Sequence, residues 1–183
     1  MLPLRTELPE KIGELNAMEM RFCPVCGERL RTKRHETEGE TLYCARCADY
    51  RFPLFSTAIS AVVLDESGER MLLIRQYGEE DAVLVAGYVD KGETAEEAVV
   101  REIREELGMT ARELRFHRSR YYAPSETLML NYSATVSETA AKPNGEVDAW
   151  FWIPAEEAAA QVRPGGLADT LLRDYFEDRE REQ

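Results

Sequence analysis

The 183-residue sequence has no run of about 18 apolar residues, the length that a membrane-spanning helix requires. It is also poor in basic residues: 23 Lys and Arg stand against 35 Asp and Glu, so the net charge is −12. Such a chain is ill suited to non-specific binding of nucleic acid or anionic membrane, because both normally need a basic surface. A polyanionic substrate would therefore need cations as intermediaries.

The sequence contains no internal repeat, and its start lacks the basic and long apolar stretches of a signal peptide. We therefore expect a cytoplasmic protein with no membrane partner. Residues 1–20 favour a short amphipathic helix. Apolar residues make up 44% of the chain, which is enough for one ordinary domain and a small module. In the helix predicted over residues 1–20, four apolar side chains lie near one face: Leu8, Ile12, Leu15 and Met18.

Cysteine is scarce, but the cysteines form two close pairs, "CPVC" and "CARC", separated by seventeen residues. Two such pairs at this spacing fit a four-thiolate zinc site. Four unrelated thiols or a redox pair are the alternatives, and a disulfide is a poor explanation in the cytoplasm. Four protein ligands close the coordination sphere, so the zinc is predicted to be structural. The predicted ligands of this zinc ribbon, residues 21–53, are Cys23, Cys26, Cys44 and Cys47.

The segment between the two cysteine pairs begins with basic residues and continues with acidic ones. Its basic residues, with one histidine, are Arg29, Arg31, Lys33, Arg34 and His35. Glu36, Glu38 and Glu40 follow at once and largely cancel their charge. The cancellation favours a solvated hairpin tip over a contact with nucleic acid.

The pattern after Pro53 alternates strands with helices. Strands are predicted over residues 56–65, 71–77, 82–89, 114–123, 127–136 and 146–153, and helices over 95–107 and 165–177. Mixed strands with intercalated helices predict an α/β or α+β sandwich over residues 54–183.

The helix over 95–107 is unusually rich in glutamate. Thr94 with Glu97 forms a capping box, and Gly108 suits the C-terminal stop. Its predicted core positions are Val99, Val100, Ile103 and Leu107, beside an arc of Glu102, Glu105 and Glu106. Like charges at this spacing cost a few tenths of a kcal/mol per pair, about 0.2–0.5. A hard divalent cation would remove that cost, and a solvated acidic face is the alternative.

The residues around these glutamates follow a longer pattern. In "GYVDKGETAEEAVVREIREELGM", Gly87 is followed after five residues by Glu93 and after seven more by Arg101 and Glu102. The stretch fits G-x5-E-x7-R-E-U-x-E-E-x-G-U, where U is aliphatic, at every position. In this it resembles the Nudix hydrolases.

The resemblance implies a Nudix α/β/α sandwich with a mixed sheet, and cleavage of a diphosphate joined to a nucleoside. It also implies a structural ion pair between Glu93 and Arg101. Bound magnesium or manganese would screen the diphosphate and activate water, and a carboxylate would act as the base. The ligands that the resemblance implies are the Ala86 carbonyl and the side chains of Glu102, Glu105 and Glu106.

A further carboxylate is expected from outside the helix. Glu146 opens the strand "EVDAWFWI", and Trp152 lies six residues after it. This spacing resembles that in many Nudix enzymes, where a glutamate a few residues before a tryptophan is a metal ligand or the base. Glu146 could equally be a turn residue after Gly145. Which glutamate is the base stays open.

A zinc ribbon followed by this pattern resembles the NADH pyrophosphatase branch of the family. Its members hydrolyse NAD(H) to nicotinamide mononucleotide and AMP, and some act on NAD-capped RNA. The resemblance also implies a homodimer. "GGLADTLL" is similar to the segment where an alanine, here Ala168, lines the substrate site, and Phe52 is a stacking candidate in the link after the ribbon.

One stretch departs from that branch. Where its members carry S-Q-P-W-P-F-P-x-S-L-M, this sequence has "SRYYAPSETLM". Ser119 fits, and Arg120 replaces glutamine and could meet a phosphate or face solvent. Tyr121 and Tyr122 could stack on a base or pack in the core, and only one of them can face the site. An ADP-ribose or nucleoside-triphosphate hydrolase is therefore an alternative, and a non-catalytic nucleotide-sensing or nucleic-acid-binding module is a second.

Overall fold

The structure, a computed structural model, describes residues 20–181. The chain divides into two compact units, Met1–Phe55 and Ser56–Gln183. Within residues 20–181, no helix is both long and apolar enough to cross a membrane. The predicted amphipathic helix near the start lies outside the described residues.

The first unit contains a small antiparallel sheet of three strands. These are β1 Arg31–His35, β2 Gly39–Cys44 and β3 Asp49–Arg51, in the order β1-β2-β3. The rings of Tyr43 and Tyr50, which are paired across β2 and β3, meet edge to face at 5.0 Å. The first cysteine pair precedes β1, and the second lies where β2 is connected to β3.

The second unit is built on a mixed six-stranded sheet. Its elements are β4 Ser56–Asp65, β5 Arg70–Gln76, β6 Val85–Tyr88, α1 Ala95–Leu107, β7 Ala111–Tyr122, β8 Thr127–Val136, β9 Val147–Pro154 and α2 Leu167–Glu180. The strand order is β7-β8-β4-β5-β9, and β6 pairs with β4. Only the β4–β8 pair is parallel among the described pairs of this sheet.

The sheet buries a separate apolar layer on each face. In β4, Ile59 and Val63 pack in the layer under α1, whereas Ala58 and Val62 pack in the layer under α2. This alternation follows from the period of two in a strand, and it explains why β4 is apolar at almost every position. The predicted α/β/α sandwich with a mixed sheet is confirmed.

Several boundaries differ from the sequence predictions. The strand expected over 82–89 is limited to Val85–Tyr88, because Ala82 and Val83 make only isolated bridges to Val162 and Ile74. The edge strand β7 begins three residues earlier than expected, and α2 runs to Glu180.

The boundaries of α1 agree with its cap residues. The Glu97 amide donates to Thr94 Oγ1, the Thr94 amide donates to Glu97 Oε2, and Gly108 ends the helix at φ 64°. One predicted core position is wrong: Val100 is 39% exposed, and Ala98 is buried instead. The buried arc includes Glu106, so its centre is displaced away from Val100.

Candidate active site

The glutamates of α1 meet the sheet where β6 ends. A Cβ atom on Gly87 would lie only 1.8 Å from Glu102 Oε1, so the Glu102 carboxylate rests directly against the glycine backbone. No other amino acid fits at this position without moving that carboxylate. The first glycine of the sequence pattern therefore makes room for its second glutamate.

Arg101 ties the loop before α1 to the helix. Its guanidinium makes two hydrogen bonds to the Glu93 carboxylate, of 2.8 and 3.0 Å, and one of 2.9 Å to the Tyr88 carbonyl. Its remaining nitrogen, Nη1, donates to Glu102 Oε1 at 2.6 Å. The ion pair expected between Glu93 and Arg101 is thus present, and it also positions Glu102.

Glu106 is the buried carboxylate of the site. Its side chain lies on the core side of α1, and the residue is only 4% exposed. Gln76 Nε2 donates to Glu106 Oε1 at 3.1 Å, but Oε2 is buried without any hydrogen-bond partner. Burial raises the pKa of Glu106 to about 8 despite the Gln76 bond, and repulsion by Glu102 and Glu146 adds to the rise.

Tyr77 and Glu146 are two further polar residues near Glu106. The Tyr77 hydroxyl lies 3.5 Å from Glu146 Oε2, and Tyr77 has a left-handed backbone, with φ 58°. The next amide, of Gly78, donates to Asp148 Oδ2 at 2.7 Å, which anchors this turn to β9. Burial and then the Glu146 charge raise the pKa of Tyr77, so its hydroxyl stays a donor.

The carboxylate oxygens are near one another but do not converge on one point. Glu102 contacts Arg101, Glu106 contacts Gln76, and Glu105 is exposed with a 3.3 Å contact to Arg101. The donor set nevertheless fits a hard divalent cation, because it consists of oxygen atoms and includes the partnerless Glu106 Oε2. Burial also raises the pKa of Glu102, although the Arg101 guanidinium opposes the rise.

Other proteins identify the family. The family model of the NUDIX domain matches residues 54–172. The chain belongs to the Nudix family. The Nudix protein named NAD-capped RNA hydrolase NudC in Pseudomonas aeruginosa is 33% identical over 174 residues, covering 85% of this chain and 61% of that protein. The protein of the same name in Vibrio atlanticus is 26% identical, covering 87% and 58%. The chain thus spans less than two thirds of the length of these curated relatives.

Experimental structures agree on the Nudix fold. A Nudix hydrolase from Nitrosomonas europaea superposes with a TM-score of 0.66 at 18% identity, covering 90% of this chain and 94% of that one. The Nudix domain of Shewanella oneidensis NrtR, complexed with ADP ribose, gives a TM-score of 0.58 at 18% identity, covering 77% and 94%. At these identities the likeness shows the fold alone.

Around this Nudix site, Gln76 and Tyr77 were missed by sequence reasoning. Their only signal is the sequence "RQYG", where a predicted strand meets a glycine. The expected ligand Ala86 lies in β6 directly before Gly87 and is paired with Ser60.

The predicted recognition stretch lies at the end of β7, and its side chains alternate between the two faces of the sheet. Tyr122 pairs with Thr127 and packs in the layer under α2. Tyr121 therefore lies on the α1 face, with Ser119, and is 54% exposed. Of the two tyrosines, only Tyr121 is on the face that carries the Nudix glutamates.

Arg120 differs from the expectation that it meets a phosphate or faces solvent. Its guanidinium binds both carboxylate oxygens of Asp174 on α2, and Arg118 binds the same carboxylate at 3.0 Å. Asp174 is fully buried, so it needs these cations to offset the loss of its hydration. Arg120 therefore has a structural partner, and it is not part of the proposed pocket.

Ala168 and Phe52 are the two further predicted pocket residues. Ala168 lies in the first turn of α2 and packs in the apolar layer under that helix, on the other face of the sheet from α1. Phe52 belongs to the first unit, where its exposed ring lies 6.2 Å from that of His35. Their roles in binding stay predictions.

The four cysteines form a compact cluster in the first unit. Their sulfur atoms all lie within 4.8 Å of one another, and they are the one such group of potential metal ligands found among residues 20–181. Cys23 Sγ and Cys47 Sγ are 3.9 Å apart. Tetrahedral zinc with bonds of about 2.3 Å places sulfurs about 3.8 Å apart, so the cluster fits that ion.

The residue that follows each cysteine pair has a left-handed backbone conformation. Gly27 follows the first pair at φ 73°, and Ala48 follows the second at φ 54°. Hydrogen bonding to Cys26 and burial raise the pKa of Cys47 to about 12, because neighbouring sulfurs cannot all be thiolates without a cation between them.

Proposed function

We propose that the chain is a metal-dependent hydrolase that cleaves the diphosphate of free NAD(H) to nicotinamide mononucleotide and AMP, and the same bond at an NAD-capped RNA 5′ end to nicotinamide mononucleotide and a 5′-monophosphate RNA. The observation that carries this proposal is Glu106, which is buried beside Glu102 with one oxygen lacking any partner. A buried carboxylate of raised pKa in a cleft is typical of a functional site. The relatives named NAD-capped RNA hydrolase support the choice of NAD.

Magnesium or manganese would be held by the oxygen donors at the α1–β6 junction. When bound, such a cation screens the diphosphate charge and lowers the pKa of a coordinated water. The proposed ligands are the Ala86 carbonyl and the carboxylates of Glu102, Glu105, Glu106 and Glu146. Zinc at the four cysteines is proposed to be structural, because four thiolates leave no open position.

The protein groups divide the remaining work. Gln76 fixes one oxygen of Glu106 and so directs the other toward the site, while Arg101 fixes Glu102 against Gly87. Glu105 and Glu146 are the two exposed carboxylates of this set, so one of them is proposed to take a proton from the attacking water. Separate Glu105→Gln and Glu146→Gln variants distinguish them, because removal of the base should abolish the acidic limb of the pH–rate profile, where the base becomes protonated.

A second candidate is hydrolysis of ADP-ribose or nucleoside triphosphates. It is favoured by the stretch from Ser119 to Met129, where the recognition motif of the NADH-specific branch is replaced. A non-catalytic sensor or binding module is the third reading, and it is disfavoured because every carboxylate of the box is retained.

The test is a substrate screen with purified protein. NADH, NAD, ADP-ribose, diadenosine polyphosphates and nucleoside triphosphates are each incubated with magnesium or manganese, and the products are separated by chromatography. We expect AMP and nicotinamide mononucleotide from NAD(H), and turnover about a hundredfold or more lower in Glu106→Gln. Turnover confined to ADP-ribose or triphosphates would replace the first proposal by the second, and no turnover at all would leave the binding module.

We further propose a cytoplasmic homodimer. The dimer is expected from the family resemblance, and light scattering at micromolar concentration tests it directly. A monomeric mass would contradict it.

A further inference from the structure

One face of the small sheet in the first unit gathers aromatic and basic side chains. The strand register places Arg31, Tyr43 and Tyr50 in a single row across β1, β2 and β3. Because alternate residues of a strand share a face, Lys33 and His35 lie on that face as well. We refer to this set of five residues as the ribbon face.

The acidic residues of the same segment do not share the ribbon face. Glu40 pairs with Arg34, and Asp49 pairs with Cys44, so both acids lie on the opposite face. Glu36 and Glu38 lie in the turn between β1 and β2. The cancellation of charge that the linear sequence indicates therefore does not hold on the folded sheet.

The cations of the ribbon face lie over its aromatic rings. Lys33 Nζ is 4.1 Å from the ring centre of Tyr43 and 5.5 Å from that of Tyr50, and Arg31 lies 5.9 Å from Tyr43. Neither cation has a carboxylate partner among residues 20–181, and both are exposed. Both are therefore available to an external anion, and the flexible Lys33 side chain can leave the ring to meet it.

The ribbon is also the basic part of an acidic protein. Residues 21–53 hold seven Lys and Arg against five Asp and Glu, whereas residues 54–183 hold 14 against 26. A polyanion is attracted to the cationic part of a chain and repelled by the rest.

We propose that the ribbon face binds single-stranded RNA. Rings on a sheet accept unpaired bases by stacking, and adjacent Arg and Lys side chains accept the phosphates between those bases. A duplex does not fit this surface, because its bases are already stacked and paired. The choice of RNA over DNA rests on the proposed function, in which the dinucleotide can be the 5′ end of an RNA.

The test measures binding without hydrolysis. Fluorescence anisotropy follows an uncapped, labelled single-stranded RNA with the whole protein in zinc-containing buffer free of magnesium and manganese. Lys33→Glu should weaken binding about tenfold or more and reduce the slope of log affinity against log salt by about 0.7 for each phosphate that the variant no longer neutralises. Tyr43→Leu should weaken binding about tenfold, with little change in that slope.

Arg34→Glu is the matched control, because it makes the same charge change one residue away on the opposite face. It should leave most of the affinity intact. Equal weakening by Lys33→Glu and Arg34→Glu, or no binding of single-stranded RNA, would overturn the proposal. DNA of the same sequence or duplex RNA, if bound as tightly, would overturn the assignment to single-stranded RNA.

The result is separable from the proposed function. Hydrolysis of free NAD(H) by Lys33→Glu should equal that of the wild type, since Lys33 has no part in the diphosphate site. RNA binding without NAD(H) turnover would reject the proposed function alone, and turnover without RNA binding would reject the ribbon-face proposal alone.

Discussion

Gln76 and Glu106 are joined by a hydrogen bond of 3.1 Å that occupies one carboxylate oxygen and leaves the other buried without a partner. Gln76 is the last residue of β5, beside an irregularity in its pairing with β9. The bond fixes the direction of the free oxygen, and an amide does this without adding a charge to an already acidic site. Gln76 is therefore a positioning residue for the proposed metal ligand.

Gln76→Leu should reduce turnover about tenfold or more, as is usual when a group that orients a metal ligand is removed. The concentration of magnesium needed for half-maximal activity should rise, while the KM for NAD changes little. Gln161→Leu, at an exposed position outside the site, is the control. A variant whose magnesium requirement matches that of wild type would show that Gln76 does not orient Glu106.

The raised pKa of Glu106 predicts how the metal-free protein responds to pH. Its pKa in the folded protein is about 8, above the ordinary value of 4.5, so the folded state holds the proton more tightly than the unfolded chain does. This contribution to stability is complete below pH 4.5 and is lost as the pH rises through about 8. In buffer that contains zinc but no magnesium or manganese, the Tm of the wild type should therefore fall across this window.

Glu106→Gln should remove that pH trend. At pH 8, with zinc but without magnesium or manganese, its Tm should exceed that of the wild type by about 2–4 °C for each kcal/mol of stability that the substitution restores. It should also lose about a hundredfold or more in turnover, and added magnesium should raise the Tm of the wild type only. Differential scanning fluorimetry over a pH series checks this, and a parallel fall in both proteins would contradict it.

Gly87→Ala tests the contact between β6 and α1. The added methyl group would lie 1.8 Å from Glu102 Oε1, so the carboxylate must move, and turnover should fall by about a hundredfold. Gly145→Ala is the control, because a Cβ atom there meets nothing within 4 Å. Circular dichroism should show both variants folded, and full activity in Gly87→Ala would contradict the observed placement of Glu102.

The parts of the fold that the sequence predicts well are those set by local chemistry. The capping box at Thr94 and the glycine at Gly108 define α1 at both ends, and the apolar run of β4 reflects its burial on both faces. Long-range partners escape such reasoning. Nothing near Arg120 in the sequence indicates that Asp174, 54 residues later, will take its charge.

The site shows the same division. The pattern from Gly87 to Met109 identifies the glutamates, because their spacing along one helix is itself the signal. Gln76 and Tyr77 come from a different strand, and their approach to α1 depends on sheet packing that no local pattern encodes.

Cys44→Ser should remove the zinc, about one ion per chain by elemental analysis, and destabilise the ribbon. Ala45→Ser, an exposed position in the same turn, should retain both zinc and stability. A Cys44→Ser protein that keeps its full Tm after losing zinc would contradict a structural role for the metal.

Tyr121→Ala and Tyr122→Ala should separate recognition from packing. If Tyr121 stacks on a base of the substrate, its removal should reduce kcat/KM for that substrate. The loss should correspond to about 1–3 kcal/mol of transition-state stabilisation, with little change in Tm. Tyr122→Ala should mainly lower the Tm, since that ring packs under α2. Unchanged kcat/KM for NADH, NAD and ADP-ribose in Tyr121→Ala would exclude this strand from recognition.

The alternation along β7 has a consequence for how the protein can evolve. Arg118 and Arg120 attach the strand to Asp174 through one face, while Ser119 and Tyr121 project from the other. If Ser119 and Tyr121 contact the substrate, as predicted, mutations on their face can change ligand preference without loosening the attachment of the strand. In that case, substrate selectivity and stability depend on different residues of the same strand, so single substitutions can bring a new substrate preference while the protein remains stable.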